Sequence, residues 1–158
     1  MTKLSPPQWQ APFHIITMGG TIDKSYFDTL SDYQVGEPQA PSVLQDIHLL
    51  SQFKLTSVCA KDSLDLTTKD RQQLVEHINA SPFEQILITH GTDAMVDTAT
   101  YLEQHLPVEH GFKIVLVGAM HPARFKNSDA TFNIGFALGA LRLVGPGCYI
   151  AMNGAIFT

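Results

Sequence analysis

The stretch that decides the fold is FHIITMGGTI at residues 13–22, and residues 85–94, QILITHGTDA, follow the same plan. In each stretch an apolar run typical of a buried β-strand, residues 13–18 or 85–89, ends in small residues and a threonine. In an open parallel α/β sheet, ligands bind in the crevice outside the carboxyl ends of the strands. Thr21 and Thr92 are therefore expected at one shared site.

Short apolar runs alternate with longer segments of helical spacing along the rest of the chain. The further predicted strands are residues 55–59, 113–117 and 148–152. The predicted helices are residues 42–52, a helix capped by Thr67 with Asp70 in the capping-box position, residues 93–105 and residues 130–143. This alternation predicts an α/β fold: a three-layer sandwich, Rossmann-like or flavodoxin-like, with a mainly parallel sheet of about five strands. We expect residues 1–12 to form a flexible N-terminal segment and residues 13–158 to form one domain.

The least regular stretch, residues 23–40, is rich in Asp, Tyr, Gly and Pro and shows no clear period. Long loops in compact domains are often functional lids. A disordered connector is the alternative, but the position directly after the Gly19-Gly20-Thr21 turn favours a lid.

Composition excludes several classes of function. The net charge is −5, and the 10 Lys and Arg residues are scattered, which argues against a nucleic-acid partner and against anionic membrane surfaces. No apolar run approaches the ~20 residues of a membrane span. Residues 1–12 do not resemble a secretory signal, so a cytoplasmic location is expected. Cys59 and Cys148 are predicted to be small buried side chains, and neither they nor the histidines, such as His105 and His110, predict a metal site.

Each turn admits a structural and a functional interpretation when its residues are taken alone. Gly19 and Gly20 suit a tight turn that approaches a ligand, but the third glycine of a G-x-G-x-x-G dinucleotide site is missing. Thr21 is either a turn residue or a nucleophile that needs a neighbouring base or proton relay. Thr92 and Asp93 either cap the following helix or place a carboxylate beside a hydroxyl, where it could also hold an ammonium group.

Four segments follow one another along the chain: Gly19-Gly20-Thr21-Ile22, Asp62-Ser63-Leu64-Asp65-Leu66-Thr67, His90-Gly91-Thr92-Asp93, and Val117-Gly118-Ala119-Met120-His121-Pro122. In this order they resemble the N-terminal domain of the bacterial-type L-asparaginases, and the resemblance extends from about residue 13 to residue 158. Asp129, Phe132 and Asn133 continue the match into the last predicted helix.

The resemblance implies hydrolysis of L-asparagine to L-aspartate and ammonia without a cofactor, together with some activity on glutamine. It assigns catalytic roles to Thr21, Tyr26, Thr92 and Asp93. It assigns substrate-binding roles to Gly20, Ser63, Gly91, Thr92, Asp93 and Ala119. Asp93 would hold the α-ammonium, Ser63 the α-carboxylate, and the Ala119 carbonyl the side-chain amide. Self-association into a homo-oligomer is expected, because the lid would otherwise be poorly covered.

Four departures from the family pattern are visible. Met18 replaces the first threonine of the turn, Leu64 stands where many members have glutamine, and His121 replaces arginine. The family places a catalytic lysine shortly beyond the segment matching residues 152–154, and the family's C-terminal domain, which donates a glutamate across the dimer, also lies beyond residue 158. Lys24 and Lys126 do not occupy that lysine position.

These departures leave two functional interpretations open. The chain is either a short-chain asparaginase, or part of a longer one, with amidohydrolase activity. The alternative is a catalytically silent amino-acid-binding module or a regulatory relative of the amidotransferases.

Overall fold

The structure is a computed structural model that describes residue 7 and residues 10–158. Most of the predicted flexible segment, residues 1–12, lies outside these described residues. The strands are β1 (Phe13–Gly19), β2 (Lys24–Phe27), β3 (Asp32–Val35), β4 (Phe53–Lys61), β5 (Gln85–Thr89), β6 (Lys113–Val117), β7 (Gly147–Met152) and β8 (Ala155–Phe157). The helices are α1 (Ala40–Asp46), α2 (Thr68–Asn79), α3 (Met95–His105) and α4 (Ala130–Leu143).

Six strands form the main sheet in the order β4-β1-β5-β6-β7-β8. The first five strands of this order are parallel, and β8 runs antiparallel to β7 at the edge. Alternate side chains of each central strand enter opposite cores: Ile15 packs with residues of α1 and α4, and Ile16 packs with residues of α2 and α3. The predicted three-layer α/β sandwich is therefore confirmed.

The sheet has six strands rather than about five, because the chain reverses after β7. Asn153 and Gly154 both adopt positive φ angles, 51° and 80°, and return the chain as β8. An Asn-Gly pair between two apolar runs is a strong signal for such a hairpin. The sequence prediction ends the last strand at residue 152 and does not include the hairpin that this pair indicates.

The first helix is shorter than the predicted residues 42–52. His48 adopts a left-handed φ of 53°, and Leu49 N donates to Leu44 O at 3.1 Å. A left-handed residue followed by this six-to-one hydrogen bond is a common way to end a helix. α1 therefore ends at Asp46, and Leu50 lies outside it with 79% of its surface exposed.

Residues 23–40 contain an ordered hairpin rather than a disordered connector. Strands β2 and β3 pair in antiparallel register and form a separate two-stranded sheet. Tyr26 and Tyr33 lie opposite each other, with ring centroids 5.3 Å apart, and the Tyr33 ring meets Phe125 edge-on at 5.6 Å. Cross-strand aromatic pairs of this kind stabilise short hairpins. The lid function of this hairpin stays a prediction.

Within residues 10–158, no helix has both the length and the apolar character to cross a membrane.

Candidate active site

Four loops meet at the carboxyl edge of the main sheet. They follow β4, β1, β5 and β6, which are consecutive neighbours in the sheet. The loop after β1 is called the first turn (residues 19–23), and the loop after β5 is called the second turn (residues 90–93). Ser63 follows β4 and Ala119 follows β6. The structure thus places Thr21, Ser63, Thr92 and Ala119 at one edge of the sheet.

Three glycines let all four of these loops touch directly. A Cβ atom on Gly20 would lie 2.4 Å from Gly91 N, and a Cβ atom on Gly91 would lie 2.6 Å from Ser63 Cβ. A Cβ atom on Gly118 would lie 2.5 Å from His90 O and 3.3 Å from Thr92 Cγ2. Real Cβ atoms do not approach other heavy atoms so closely, so each position requires glycine for packing. The loops of the site are therefore fixed against one another by backbone contact.

The first turn is a short 3-10 helix, Thr21–Asp23, that begins after two glycines with φ angles of 90° and 92°. Gly20 N donates to Lys61 O at 2.9 Å, which ties the turn to the end of β4. The Thr21 side chain is half-buried, while Ile22 is buried in the core between the sheet and α4. The buried Ile22 anchors the turn in the core, and the neighbouring Thr21 remains partly exposed at the carboxyl edge of the sheet.

Asp23 anchors both ends of the β2–β3 hairpin. Its carboxylate accepts a hydrogen bond from Gln39 N at 2.8 Å, and its backbone carbonyl accepts one from Gly36 N at 2.9 Å. Only 1% of Asp23 is exposed, and this burial raises its pKa to about 7, although the Gln39 N–H and the charge of Arg124 oppose the increase. Sequence reasoning missed this residue because its partners lie at the far end of the irregular stretch.

Ser63 lies beneath Gly91 with 2% of its surface exposed. Within the described residues its hydroxyl has no hydrogen-bond partner. Buried hydroxyls normally have a partner, so an unpartnered one beside a candidate site is suited to a polar ligand group. The neighbouring Asp62 forms an ion pair with Lys24 of the hairpin at 2.8 Å, and this hydrogen bond lowers the pKa of the Asp62 carboxyl.

Thr92 and Asp93 do not cap helix α3. The N-cap of α3 is Ala94, and no side chain caps it. The helix-capping interpretation of the Thr92-Asp93 pair is therefore wrong. Thr92 is half-buried against Gly118, and Asp93 is exposed at the edge, where its carboxylate can meet a cationic group.

His90 is fully buried behind the second turn, with its surface exposure at 0%. Its Nδ1 lies 2.7 Å from Gly91 O, and its Nε2 lies 2.8 Å from Thr98 Oγ1 on α3. The pKa of His90 is lowered to about 4, mainly by burial and also by the charge of Arg71, while the hydrogen bond to Gly91 opposes the decrease. The predicted structural hydrogen-bonding role of this histidine is what the structure shows.

The strand end that carries Ala119 is held by two side chains of the α4 region. Asp129 accepts hydrogen bonds from Met120 N at 2.9 Å and His121 N at 3.0 Å. The buried Asn133 donates to Gly118 O at 3.0 Å and accepts from Asn153 N at 3.1 Å. These bonds connect the loop after β6 with the reversal between β7 and β8.

Tyr26 stands apart from the other predicted site residues. It lies on β2, is 51% exposed, and packs its ring against Tyr33. Within the described residues, no hydrogen bond joins Tyr26 to Thr21. The structure therefore brings together the loops of Thr21, Ser63, Thr92 and Ala119, while Tyr26 lies on the separate two-stranded sheet.

Known proteins resemble this chain over most of its length. The sequence profile of the family described as "Asparaginase, N-terminal" matches residues 13–158. The chain belongs to the asparaginase family. It is 30% identical over 151 residues to the probable periplasmic L-asparaginase of Haemophilus influenzae, which covers 90% of this chain and 43% of that protein.

Two further relatives show the breadth of the similarity. The chain is 31% identical over 155 residues to the glutaminase-asparaginase of Acinetobacter glutaminasificans, covering 90% of this chain and 46% of that protein. Its structure matches the thermostable L-asparaginase from Thermococcus kodakarensis with a TM-score of 0.78 at 25% identity, covering 92% of this chain and 45% of that one. The chain thus spans less than half the length of these relatives.

The departures from the asparaginase pattern occupy different environments. Met18 is 1% exposed and packs in the core beside α2 and α3, in agreement with a change in packing. Leu64 is 75% exposed beside the buried Ser63, and His121 is also exposed. Only Leu64 directly adjoins a predicted substrate-binding residue, so it is the departure that can alter recognition of the substrate.

Two lysines beside this candidate site are engaged in ion pairs. Lys24 pairs with Asp62 at 2.8 Å, and Lys61 pairs with Asp70 at 2.9 Å. Asp70 also accepts hydrogen bonds from Thr67 N and forms the capping box of α2, which confirms that part of the sequence prediction. Lys24 therefore holds the hairpin in this structure instead of pointing a free ammonium group at Thr92.

Proposed function

We propose that this chain forms the catalytic part of an amidohydrolase that converts L-asparagine to L-aspartate and ammonia, with Thr21 as the nucleophile. The observation that carries the proposal is the direct contact of three loops, Gly20 against Gly91 and Gly91 against Ser63. This contact gathers two hydroxyl-bearing turns, an exposed carboxylate and an unpartnered buried hydroxyl at one edge of the sheet.

The zwitterionic head of asparagine needs one anion and one donor, and the edge offers both. In this proposal the Asp93 carboxylate binds the α-ammonium group, and the Ser63 hydroxyl donates to the α-carboxylate. A carboxylate ligand would also give the Ser63 hydroxyl the partner it lacks. The Ala119 carbonyl, held in place through Asp129 and Asn133, accepts a hydrogen bond from the side-chain amide nitrogen of the substrate.

Thr21 Oγ then attacks the amide carbon, and a C–O bond forms while the carbonyl oxygen becomes an oxyanion. A backbone N–H of the second turn, at Thr92, is the proposed donor to that oxyanion. Gly20 N already donates to Lys61 O, so Gly20 serves the site by allowing close approach of the loops. In this proposal the Thr92 hydroxyl also faces the substrate and helps to polarise the amide.

The proton of the Thr21 hydroxyl must reach the leaving nitrogen as the C–N bond breaks and ammonia departs. Tyr26 is the proposed relay, because it lies on β2, the strand that directly follows the turn of Thr21. Its ring now lies against Tyr33, so substrate binding is expected to draw the hairpin toward Thr21. Water then hydrolyses the Thr21 ester, which releases L-aspartate and restores the hydroxyl.

A second candidate function is an amino-acid-binding module without turnover. The observation that favours it is that Lys24 and Lys61 are both held in ion pairs, with N–O distances of 2.8 and 2.9 Å. Asp93 and Ser63 would then bind the head group of an amino acid, while the proton relay stays incomplete.

Ammonia release from L-asparagine distinguishes the two functions. The amidohydrolase predicts turnover by the wild type and a loss of at least about a thousandfold in Thr21→Ala, as expected when a nucleophile is removed. Thr92→Val is expected to lose activity as well. Thr100→Val, on an exposed position of α3, is the matched control and should keep wild-type turnover.

Calorimetric titration with L-aspartate completes the experiment. Binding without any wild-type turnover would overturn the amidohydrolase and support the binding module. Full activity in Thr21→Ala would overturn the role of Thr21. Neither binding nor turnover would contradict both functions and leave the family membership as a statement about fold alone.

Three finer features are part of the same proposal. L-Glutamine is expected to be a slower substrate than L-asparagine, measured by the same ammonia assay. A cytoplasmic location and a homo-oligomer remain predictions. Sedimentation velocity over a range of protein concentrations tests the oligomer, and a single monomeric species would contradict it.

A further inference from the structure

A chain of three buried or half-buried side chains leads from helix α2 to the second turn. Arg71 Nε donates to Thr98 Oγ1 at 3.0 Å, and Thr98 Oγ1 lies 2.8 Å from His90 Nε2. His90 Nδ1 lies 2.7 Å from Gly91 O. Thr98 and His90 are both completely buried, so these groups satisfy one another and not solvent.

The donor and acceptor chemistry of these four groups determines where the hydrogen lies in each of the three hydrogen bonds. A backbone carbonyl can only accept, so the nitrogen beside Gly91 O, His90 Nδ1, must carry hydrogen. The guanidinium of Arg71 can only donate, so Thr98 Oγ1 accepts from it. The Thr98 hydroxyl hydrogen is then free to point at His90 Nε2, which accepts it in the neutral imidazole.

A charged imidazolium does not fit this arrangement. With hydrogen on both ring nitrogens of His90, Thr98 Oγ1 would accept from both His90 and Arg71, and the Thr98 hydroxyl hydrogen would lose His90 Nε2 as its acceptor. The positive charge would also face Arg71. The arrangement therefore holds His90 in one neutral tautomer.

We propose that Thr98 and Arg71 are positioning residues that act through His90 to fix the Gly91–Thr92 peptide at the candidate active site. The proposal deepens the function proposed above and rests on it, because the peptide it fixes carries Thr92 and precedes Asp93. Neither Thr98 nor Arg71 is expected to touch the substrate.

The second turn needs the hydrogen bond from His90 because Gly91 is packed between two other loops. Gly91 touches Gly20 of the first turn and Ser63 of the loop after β4. A rotation of the Gly91 carbonyl would shift Thr92 and disturb both contacts together. The hydrogen bond from His90 Nδ1 to that carbonyl prevents the rotation, and the position of the imidazole in turn depends on Thr98.

The test compares Thr98→Val, which keeps the shape and removes the hydroxyl, with Thr98→Ser, which keeps the hydroxyl. Thr100→Val is the control on the same helix. Nitrogen-15 spectra of the imidazole and of the Gly91 and Thr92 amides report the hydrogen-bond chain without any ligand. Calorimetry with L-aspartate and the ammonia assay with L-asparagine report its consequence for the site.

In the wild type we expect a neutral His90 with its proton on Nδ1. In Thr98→Val the Nε2 resonance and the Gly91 and Thr92 amide resonances are expected to move, and the Kd for L-aspartate is expected to rise about tenfold, as for loss of one buried hydrogen bond. Thr98→Ser should stay within about twofold of the wild type, because one hydroxyl replaces another. A merely structural role would lower the melting temperature without moving the Gly91 and Thr92 resonances in the folded protein.

The proposal is overturned if the wild-type proton lies on Nε2, or if Thr98→Val leaves the amide resonances and the Kd unchanged. If Thr98→Val does not fold, Arg71→Lys decides the matter, since it keeps the charge and removes the Nε donor. That variant should move the same resonances, and unchanged resonances would overturn the proposal. If the wild type neither binds L-aspartate nor releases ammonia, the proposed function fails, while the imidazole and amide spectra still decide whether Thr98 and Arg71 fix the peptide.

Discussion

The two turns of the candidate site contribute to it in opposite ways. The second turn is supported from within the protein by buried side chains, with His90 bonded both to Gly91 O and to Thr98. The first turn is held by backbone contacts and by the buried side chain of Ile22, and it leads directly into the exposed β2–β3 hairpin. One half of the site is thus preorganised, and the other half carries the hairpin that is predicted to close over a ligand.

The two turns also differ in the protonation of the buried group that supports each of them. Behind the second turn, burial keeps His90 neutral by lowering its pKa to about 4. At the first turn, burial raises the pKa of Asp23 to about 7, so this carboxyl exchanges its proton near neutral pH. Two buried groups therefore give the two turns opposite responses to pH, which makes the comparison accessible to measurement.

The largest effect is expected where the two turns touch. Gly20→Ala would place a Cβ atom 2.4 Å from Gly91 N at a residue with φ of 92°, so it should lower the free energy of unfolding by about 3–5 kcal/mol. Gly135→Ala is the matched control, because this exposed glycine of α4 has no heavy atom within 4 Å of an added Cβ. It should stabilise the protein by about 0.5–1 kcal/mol. Urea unfolding measures both, and equal effects at the two positions would contradict the close contact of the turns.

A smaller effect is expected at the second turn in acid. The folded pKa of His90 lies below its unfolded value, so its contribution to stability is present above pH 6.5 and is lost as the pH falls toward 4. Between pH 6.5 and 5 the loss amounts to about 1.5 kcal/mol for this one group. His90→Asn, whose amide can still donate to Gly91 O, should remove that part of the acid destabilisation in urea unfolding. His14 is also buried with its pKa lowered to about 4, so His90→Asn should retain the acid destabilisation due to His14. An unchanged acid profile in His90→Asn would show that His90 is not the titrating group.

The first turn should show the opposite sign. The folded pKa of Asp23 lies above its unfolded value, so its contribution is full below pH 3.8 and is lost as the pH rises through 7. Between pH 5.5 and 7 this loss is about 1.5 kcal/mol. Asp23→Asn keeps an oxygen that can accept from Gln39 N and removes the ionisation. Between pH 5.5 and 7 the free energy of unfolding of Asp23→Asn should therefore change less than that of the wild type. An identical pH dependence in both proteins would show that Asp23 is not the titrating group.

The smallest effect on stability is expected at the ion pair between the hairpin and the loop of Ser63. Lys24 and Asp62 are 26% and 39% exposed, so solvent screens their attraction, and Lys24→Gln should cost about 0.5 kcal/mol. The same change should increase amide hydrogen exchange in β2 and β3 but not in β5. Lys69→Gln, at an exposed position of α2, is the control and should leave both unchanged. Equal exchange in the hairpin of Lys24→Gln and of the control would show that the ion pair does not hold it.

The sheet and its helices could be predicted where one physical signal dominates. The strands β5 and β6 have the predicted bounds because parallel strands covered on both faces consist of continuous apolar residues. Helix α4 also matches, since its buried face gives a regular spacing that ends before Gly145. The β2–β3 hairpin could not be predicted in this way, because both of its faces are largely exposed and its residues have no apolar alternation.

The site was predictable at the level of loops but not of supporting side chains. The rule for parallel sheets places Thr21 and Thr92 at one edge from the sequence alone, and the structure brings their turns into contact. Thr98, Arg71 and Asp23 become visible only in three dimensions. Each acts through a hydrogen bond to a residue on another element, and such pairings leave no periodic signal in the sequence.

The position of β1 in the interior of the sheet, between β4 and β5, has a consequence for the order of folding. β1 is the first strand of the described chain, yet it pairs with β4 on one side and with β5 on the other, as in the His14–Lys54 and His14–Ile86 register pairs. Because loop closure must precede such distant pairings, proteins dominated by them fold slowly. During synthesis β1 must wait until β5 has emerged, so Gly20 cannot meet Gly91 before then. The apolar side chains of β1 are meanwhile open to association with other chains.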